Sequence, residues 1–328
     1  MMTKILSFGE VLIDFLALPA QDNGVQHYVK QAGGAPANVA VAVAHLGGNA
    51  GFIGMIANDM FGDYLFETLQ AFDVDTSYVA RTHAAPTALA FVTLDSAGDR
   101  HFAFYRPPSA DLLFQKENFD LRCFENSSFF HVCSISMTHP AIAEVTRYGM
   151  QMAKEKEALI SFDINLRLPL WPDQNEINKT IWQALSMTNI AKFAYDELEF
   201  LANGESIEKE QLIQKLFSVG VNIVIVTRGA EPMHVLTPHI SFEMASYNCD
   251  TLDATAAGDA FVGGFLFYLG KLNINASNFN QFLHNKNQLM DAVRFASANG
   301  ALAVTKYGSF AAMPNLNEVE TFMLNHKI

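Results

Sequence analysis

The sequence is poor in cysteine and in positive charge, and each shortage argues against a class of protein. Only three cysteines occur among 328 residues, at Cys123, Cys133 and Cys249, and their wide spacing predicts neither a disulfide framework nor a zinc site. Lys and Arg total 21 against 34 Asp and Glu, so the net charge is −13. A protein with this negative charge is repelled by nucleic acid and by anionic membranes, so neither is an expected partner.

Long apolar runs and two common motifs are also missing. No run is long enough to span a membrane, and Glu10 and Asp14 interrupt the apolar N-terminus, which lacks the basic segment of a signal peptide. The ten histidines show no metal-ligand spacing, and no G-x-x-x-x-G-K-[ST] loop occurs, which excludes a P-loop kinase. We therefore expect a cytoplasmic protein.

Short strand-like segments alternate with helical periods over most of the chain. Hydrophobic residues make up 50% and charged residues 17%, which indicates a folded core. The alternation predicts an α/β fold with a mostly parallel central sheet and helices on both faces. Predicted strands include 4–8, 50–56, 129–132, 159–163 and 221–227, and predicted helices include 37–46, 61–72, 141–154 and 208–219.

Two regions, 11–30 and 87–105, depart from this alternation and resemble extended strands, and we set the bounds of the predicted lid at 11–30 and 77–107. Asp95 to Asp99 (DSAGD) is a plausible hairpin turn within the second region. We predict that the two regions form a small β-sheet, which would cover a pocket as a lid because it flanks the Gly33-Gly34 turn. The α/β core would then comprise residues 1–10, 31–76 and 108–328.

The most informative segment is DATAAGDAFVGGFL, from Asp253 to Leu266. Its small residues lead into an apolar stretch that predicts a helix, so that backbone N–H groups and the helix dipole converge on one point. Asp259 lies there as a carboxylate able to take a proton, the equipment of phosphoryl transfer to a hydroxyl. The helix N-terminus should stabilise its anion and make it a weak base. The alternative is that Asp259 only caps a buried helix.

A second informative segment is Gly33-Gly34-Ala35-Pro36-Ala37-Asn38. Two glycines let a ligand approach the backbone closely, and Asn38 falls in the first turn of the following helix. Taken alone, the segment is more typical of an ordinary strand–helix junction than of a binding site.

Together, GGAPANVAVAVAHLGG and DATAAGDAFVGGFL resemble the two motifs of the ribokinase-like (PfkB) carbohydrate kinases, in their order and separation. Further matching segments are GEVLIDF (9–15), FYRPPSADLL (104–113), SIS (134–136) and FDINLRLPLWP (162–172). Within the family the chain most resembles bacterial and plant fructokinases. The resemblance implies a kinase that uses ATP and magnesium to phosphorylate a hydroxymethyl group of a monosaccharide, with D-fructose and its 6-hydroxyl as the expected acceptor.

The resemblance also implies roles for individual residues. Asp259 would be the base, and Arg167 would face the transferred phosphoryl group or sugar oxygens, unless it pairs with Asp173 at the surface. The anion hole would be formed by the amides of Ala256, Ala257, Gly258 and Asp259. The sugar would contact Asp14, Gly33, Gly34, Asn38, Phe104, Arg106, Asn165 and Asp259. For Asp14 a solvated carboxylate on a strand is the alternative, and for Phe104 a place in the core.

On the nucleotide side, the resemblance implies contacts from Lys192, Glu197, Thr227, Gly229, Gly258 and Ser297. Glu197 would organise magnesium and its waters, or else be an exposed helix residue. Three positions depart from the family pattern, namely Ala194, Pro232 and Ser297, which puts the identity of the phosphate donor in question.

Two further properties follow from the resemblance alone. Relatives hold a monovalent cation such as potassium beside the anion hole, mostly through main-chain oxygens. The matching positions are Asp253, Thr255, Ala303, Lys306 and Gly308. Lid sheets of the family often pair between subunits, so a homodimer through the lid is the expected assembly.

Other functions stay open at this stage. Within the family, a 2-keto-3-deoxygluconate kinase is the nearest alternative, whereas Ile135 stands where ribokinase tends to place a sugar-binding Glu. Outside enzymes of this kind, Ala194, Pro232 and Ser297 would fit a catalytically silent sugar-binding regulator. A nicotinamide-dependent oxidoreductase is suggested only by the alternating strands and helices, and it lacks a G-x-G-x-x-G turn after the first strand.

Overall fold

The structure is a computed structural model that describes residues 3–18, 25–94, 100–326 and 328. The strands are β1 Lys4–Phe8, β2 Leu12–Ala17, β3 Tyr28–Gly33, β4 Asn49–Ala57, β5 Asp75–Thr82, β6 Leu89–Leu94, β7 Arg100–Tyr105, β8 Ser127–Cys133, β9 Leu159–Asp163, β10 Ile190–Ala194, β11 Ile223–Arg228, β12 Glu231–Leu236 and β13 Ser241–Met244. The helices are α1 Ala35–His45, α2 Met60–Ala71, α3 Pro140–Glu155, α4 Ile177–Leu185, α5 Tyr195–Glu205, α6 Lys209–Ser218, α7 Ala257–Lys271, α8 Ala276–Leu283, α9 Lys286–Ala303 and α10 Leu316–Asn325.

Nine strands form the central sheet, in the order β13-β12-β11-β10-β9-β8-β1-β4-β5. Every pair from β11 to β5 is parallel, and only β12 and β13 at one edge run antiparallel. The inner strands are mostly apolar and are buried along almost their whole length, because helices cover both of their faces. The predicted α/β class with a mostly parallel sheet is confirmed, and each predicted strand and helix corresponds to one of these elements.

A second sheet of four strands has the order β3-β2-β6-β7. It contains β2 and β3 from the first predicted lid region and β6 and β7 from the second. The predicted boundary at residue 77 falls inside β5, which pairs with β4 in the central sheet, so the second contribution to the small sheet begins at Leu89. The strand-like stretch at 87–105 corresponds to β6 and β7, whereas the wider bounds of the lid, 77–107, took in most of the edge strand β5. The predicted turn at 95–99 lies outside the described residues.

Helices α1 and α7 pack closely against each other on one face of the central sheet. A Cβ at Gly263 would lie 2.4 Å from the Cβ of Ala42, so both helices need small residues at their contact. Apolar side chains of α1, α7, α8 and α9 form one buried cluster, and those of α3 to α6 form another on the opposite face. The close approach of α1 and α7 brings the first turns of these helices together. No helix within the described ranges has the length and hydropathy needed to cross a lipid bilayer.

Candidate active site

The first turns of α1 and α7 meet through a hydrogen bond between Asn38 and Asp259. Nδ2 of Asn38 donates to Oδ2 of Asp259 at 2.7 Å, although the two residues are 221 positions apart in the sequence. Asn38 is 3% exposed and Asp259 is 5% exposed. The two segments that the sequence analysis singled out therefore form one site.

Asp259 is more basic than its place at a helix N-terminus led us to expect. Burial is the main cause and raises its pKa to about 7, with a further upward contribution from Asp163. The hydrogen bond from Asn38 and the positive charges of Lys192 and Arg167 lower the pKa, but by less. The expectation of a weak base was wrong because the cost of desolvating the carboxylate exceeds the stabilisation at the helix end.

The predicted anion hole lies at the start of α7. Ala256 is the residue before the helix, the Ala260 N–H donates to its carbonyl at 2.8 Å, and the Ala257 N–H points to the Ala254 carbonyl at 3.4 Å. A Cβ added at Gly258 would lie 3.1 Å from Nζ of Lys192. The backbone turn is thus backed by a buried ammonium group, which favours an anion there.

A buried charged group lies at the carboxyl ends of β9 and β10. Nζ of Lys192 is 3.1 Å from Oδ1 of Asp163 and 3.3 Å from Oδ2. Burial alone would lower the pKa of Lys192, but Asp163 and then Glu197 outweigh it and raise the pKa. Lys192 is therefore a permanent cation. The carboxyl ends of parallel strands are where ligands of open α/β sheets bind.

Glu197 is buried rather than exposed. Its Oε1 accepts the Leu166 N–H at 2.8 Å, and its Oε2 accepts the Ala194 N–H at 2.7 Å. Burial raises its pKa, although Lys192 opposes the rise. The interpretation of Glu197 as an exposed helix residue is wrong, because the carboxylate ties the loop after β9 to the start of α5.

The Gly33-Gly34 turn is shaped around a carboxylate. A Cβ at Gly33 would lie 2.1 Å from Oδ2 of Asp14, so only glycine leaves room for that side chain. Gly34 has φ of 109°, a conformation that favours glycine. Burial, and then the negative charge of Asp253, raise the pKa of Asp14 to about 7, and a hydrogen bond with Ser309 lowers it. Asp14 is thus a partly buried carboxylate beside the turn, and the alternative of a freely solvated one is wrong.

The remaining predicted sugar residues lie in two different environments. Asn165 is 8% exposed at the end of β9, and Arg167 donates to the Leu166 carbonyl at 3.1 Å. Phe104 packs with apolar residues of the small sheet. Arg106, by contrast, is 1% exposed and forms an ion pair with Asp111, with Nη2 at 2.7 Å from Oδ2. Arg106 is therefore a buried side chain whose charge is already paired.

Four predicted nucleotide residues, Thr227, Gly229, Gly258 and Ser297, line a single cleft of about 260 Å³ next to the start of α7. Thr227 and Gly229 come from the end of β11, and Ser297 comes from α9. Ala257 and Gly258 form the side of the cleft that faces the predicted anion hole. The cleft is also lined by residues that the sequence analysis did not single out, including Met233, Ser246, Tyr247, Asn248, Cys249 and Phe261.

The predicted cation positions bring two loops together around Asp253. Its Oδ1 accepts the Thr255 N–H at 2.8 Å, and its Oδ2 accepts the Gly308 N–H at 3.0 Å. The Ala303 carbonyl accepts the Lys306 N–H at 3.3 Å, and Nζ of Lys306 pairs with Glu318 at 2.7 Å. The side chain of Lys306 thus points to another partner. Within the described part of the chain, no group of three or more His, Cys, Asp or Glu side chains is placed to hold a metal ion.

Sequence reasoning missed three charged residues beside the site. Asp163 belongs to a matching segment but was not assigned a role. Asp111 belongs to another matching segment, FYRPPSADLL, and was not assigned a role either. Glu10 was noted only because it interrupts an apolar stretch. That interruption was a usable signal, because a charged residue inside an apolar strand region is buried only with partners. Here Glu10 accepts hydrogen bonds from Ala35 and Ser136.

Comparisons with known proteins agree with this site. The family model described as pfkB family carbohydrate kinase matches residues 2–316. The crystal structure of a fructokinase with bound ATP from Xylella fastidiosa is 43% identical, with a TM-score of 0.95 and coverage of 99% of each chain. A fructokinase double mutant from Vibrio cholerae O395, bound to fructose, ADP and potassium ion, is 33% identical, with a TM-score of 0.87 and coverage of 98% of each chain.

Among curated proteins, probable fructokinase-7 of Arabidopsis thaliana is 36% identical over 324 residues, which cover 98% of this chain and 92% of the relative. The predicted resemblance to PfkB kinases, and among them to bacterial and plant fructokinases, is confirmed. Family model, relatives and solved structures agree over almost the whole length. The chain belongs to the pfkB family of carbohydrate kinases.

Proposed function

We propose that this kinase phosphorylates D-fructose at its 6-hydroxyl, with ATP as the donor. The single observation that carries the proposal is the buried carboxylate of Asp259, held by Asn38 beside the Gly33-Gly34 turn and backed by Lys192. A base with a pKa of about 7 is suited to take a proton from an alcohol near neutral pH. Family membership removes the basis for the oxidoreductase hypothesis, and the likeness to fructokinases supports fructose as the acceptor.

In this proposal each part of the site has a separate task. Asp14, Asn38 and the Gly33-Gly34 turn bind sugar hydroxyls, since polar contacts of this kind discriminate among sugars. Asp259 accepts the proton as the hydroxyl oxygen bonds to the γ-phosphorus, and the bond from that phosphorus to the bridging oxygen of ADP breaks. Backbone N–H groups of residues 256–259, with Arg167, stabilise the charge on the phosphoryl oxygens.

ATP would occupy the cleft between Thr227, Gly229 and Ser297, with its phosphates directed toward Gly258 and Lys192. Magnesium prefers oxygen ligands and usually keeps several waters. Asp163 and Glu197 supply carboxylates at this end of the sheet. Both oxygens of Glu197 accept backbone N–H groups, which fits a water-mediated role, whereas Oδ1 of Asp163 is buried beside Lys192 without a hydrogen bond from the described residues and would suit the ion or one of its waters. When bound, magnesium would neutralise part of the negative charge of the ATP phosphates. This would reduce their repulsion by the protein, whose net charge is −13.

A potassium ion beside Asp253 and a homodimer through the small sheet belong to the same proposal. Asp253 places a buried negative charge between two loops, which suits a monovalent cation. The small sheet exposes Tyr28 and Tyr105, at 41% and 66%, which suits an apolar contact with a second copy. Dependence of turnover on potassium and the mass in solution would test these two points. Three free cysteines fit a cytoplasmic location.

A substrate panel tests the proposed function directly. Steady-state kcat/KM would be measured with MgATP for fructose, 2-keto-3-deoxygluconate, ribose and a nucleoside. We expect fructose to give the highest value. A higher value for 2-keto-3-deoxygluconate would show that this acid, and not fructose, is the preferred acceptor. Sugar binding without release of ADP would support the hypothesis of a catalytically silent sugar-binding regulator.

A further inference from the structure

Three charged residues form a buried row that adjoins the Gly33-Gly34 turn through Glu10. Glu10, Arg106 and Asp111 are 1%, 1% and 5% exposed. Nε and Nη2 of Arg106 both contact Oδ2 of Asp111, at 2.8 and 2.7 Å, and Nη1 donates to Thr138 at 2.8 Å. Ser109 donates to the other oxygen of Asp111 at 2.6 Å. Neither Arg106 nor Asp111 can change its orientation without breaking these contacts.

Glu10 connects this row of charged residues to the Gly33-Gly34 turn. Its Oε1 accepts the N–H of Ala35, the residue that follows Gly34, at 3.2 Å, and its Oε2 accepts the Ser136 hydroxyl at 2.8 Å. Burial raises the pKa of Glu10, and Arg106 is the strongest influence that lowers it. Arg106 therefore lies close enough to Glu10 to act on its charge, although it makes its direct ion pair with Asp111.

Within the row no positive charge is left for a substrate, and Arg167, which lies near Asp259, is assigned to the phosphoryl oxygens. One guanidinium group serves two carboxylates, so Glu10, Arg106 and Asp111 together have a formal charge of −1. Asp14 and Asp259 stand on the other side of the turn and are also carboxylates. A site that binds an acidic sugar would instead need an arginine that is not paired within the protein and can form an ion pair with the carboxylate of the ligand.

We propose that Asp111 is a specificity-determining residue, which occupies Arg106 and so makes the pocket select neutral sugars over sugars that carry a carboxylate. Specificity is a difference between two affinities, so repulsion of a competitor counts as much as attraction of the substrate. The proposal rests on the proposed fructokinase function, and it names the class of acceptor, an uncharged monosaccharide, together with the residue that enforces it.

The first test uses the wild-type enzyme and varies the charge of the acceptor. The kcat/KM would be measured for 2-keto-3-deoxygluconate and for its methyl ester, which has the same skeleton without the charge. We expect the ester to be used at least about tenfold better, because an unpaired carboxylate would enter a negative, poorly solvated pocket. Equal values for acid and ester would overturn the proposal, and this test needs no variant to fold.

The second test uses Asp111→Asn, which keeps the size of the side chain and an oxygen acceptor but removes the charge. We expect the ratio of kcat/KM for 2-keto-3-deoxygluconate to that for fructose to rise about tenfold or more. The reason is that Arg106 loses its ion-pair partner and its positive charge becomes available to the carboxylate of the substrate. The double variant Arg106→Gln/Asp111→Asn should lose this gain. Ser109→Ala is the matched control, since it removes one hydrogen bond to Asp111 without changing any charge, and its ratio should stay within about twofold of the wild type.

The outcomes separate this inference from the proposed function. A wild-type enzyme that fails to phosphorylate fructose would refute the proposed function. A wild-type enzyme that uses fructose but does not distinguish the acid from the ester, or an Asp111→Asn enzyme that folds by its melting temperature and keeps the wild-type ratio, would refute only the role of Asp111.

Discussion

The Nδ2 atom of Asn38 lies 2.7 Å from Oδ2 of Asp259, and this hydrogen bond joins the sugar-side turn to the proposed base. Because Asn38 follows the Gly33-Gly34 turn on α1 and Asp259 lies in the first turn of α7, the contact between two helices sets the position of the base relative to the acceptor. The predictions below follow from this arrangement.

Replacement of Asp259 should abolish turnover but leave sugar binding intact. Asp259→Asn retains the contact with Asn38 but cannot accept the proton, and the loss of a general base lowers kcat by about 10²–10⁴-fold. Fructose binding, measured by calorimetry, should change by no more than a few-fold. Turnover at the wild-type rate would show that another group takes the proton.

Activity should fall as the pH is lowered through neutrality. Asp259 and Asp14 both have a pKa raised to about 7, so each is protonated and neutral below that pH. Protonated Asp259 cannot act as the base, and protonated Asp14 loses its anionic acceptor for sugar hydroxyls. We expect log kcat/KM for fructose to fall with a slope approaching about two per pH unit below pH 7, measured with saturating MgATP. Asp14→Asn should reduce the slope to about one, and a flat profile from pH 5 to 8 would contradict both assignments.

The buried ion pair of Lys192 should contribute strongly to stability. Lys192→Met leaves the charge of Asp163 uncompensated inside the protein, which should lower the free energy of unfolding by about 3–5 kcal/mol. Lys179→Met is the matched control, because Lys179 pairs with Glu176 at the surface, with side chains 65% and 52% exposed. The control should cost less than about 1 kcal/mol. Urea denaturation measures both, and equal losses would argue against a buried charge.

A methyl group at Gly33 should weaken sugar binding. In Gly33→Ala the added Cβ would lie 2.1 Å from Oδ2 of Asp14, so the carboxylate must move. We expect KM for fructose to rise at least about tenfold, with a smaller effect on KM for ATP. Gly220→Ala is a suitable control, because its Cβ meets no atom within 4 Å and its φ of 106° strains only the backbone. That variant should lose stability but keep its KM for fructose.

Glu197→Gln separates a structural role from a role in nucleotide binding. An amide has one oxygen, whereas both oxygens of Glu197 accept backbone N–H groups, from Leu166 and Ala194. One buried N–H would be left unpaired, which should lower the free energy of unfolding by about 1–3 kcal/mol. If Glu197 also organises magnesium, KM for MgATP should rise and the rise should shrink at higher magnesium concentration. An unchanged KM would restrict Glu197 to its structural role.

The sequence was sufficient for the fold and for the centre of the site. The apolar segments gave the strand and helix positions, and the segment around Asp259 indicated a phosphate turn with a base. The pKa of Asp259 was predicted in the wrong direction, because the sequence shows that it is near a helix end but not that it is buried. The sequence likewise does not show that Arg106 is buried, since its partner Asp111 can be recognised only when the loop between them is folded.

The nucleotide cleft shows a different limit. Thr227, Gly229 and Ser297 were identified by resemblance, and they line the same cleft. Tyr247 and Cys249 line it too, but they belong to the irregular segment after β13, which carries no periodic pattern that sequence reasoning could use. Asp163 was missed for a related reason. It ends an apolar strand in the same manner as many solvated residues, and only the neighbouring strand reveals its pairing with Lys192.

The small sheet and the catalytic helix layer are joined without a linker. Strand β3 ends at Gly33 and α1 begins at Ala35, so Gly34 alone connects them. Rotation of the sheet relative to α1 would pivot about this glycine, which lies four residues before Asn38 and its bond to Asp259. Binding of an acceptor against Asp14 and alignment of Asp259 would then occur together. Without a bound sugar the base would stay misaligned, and transfer of the phosphoryl group from ATP to water would be slow.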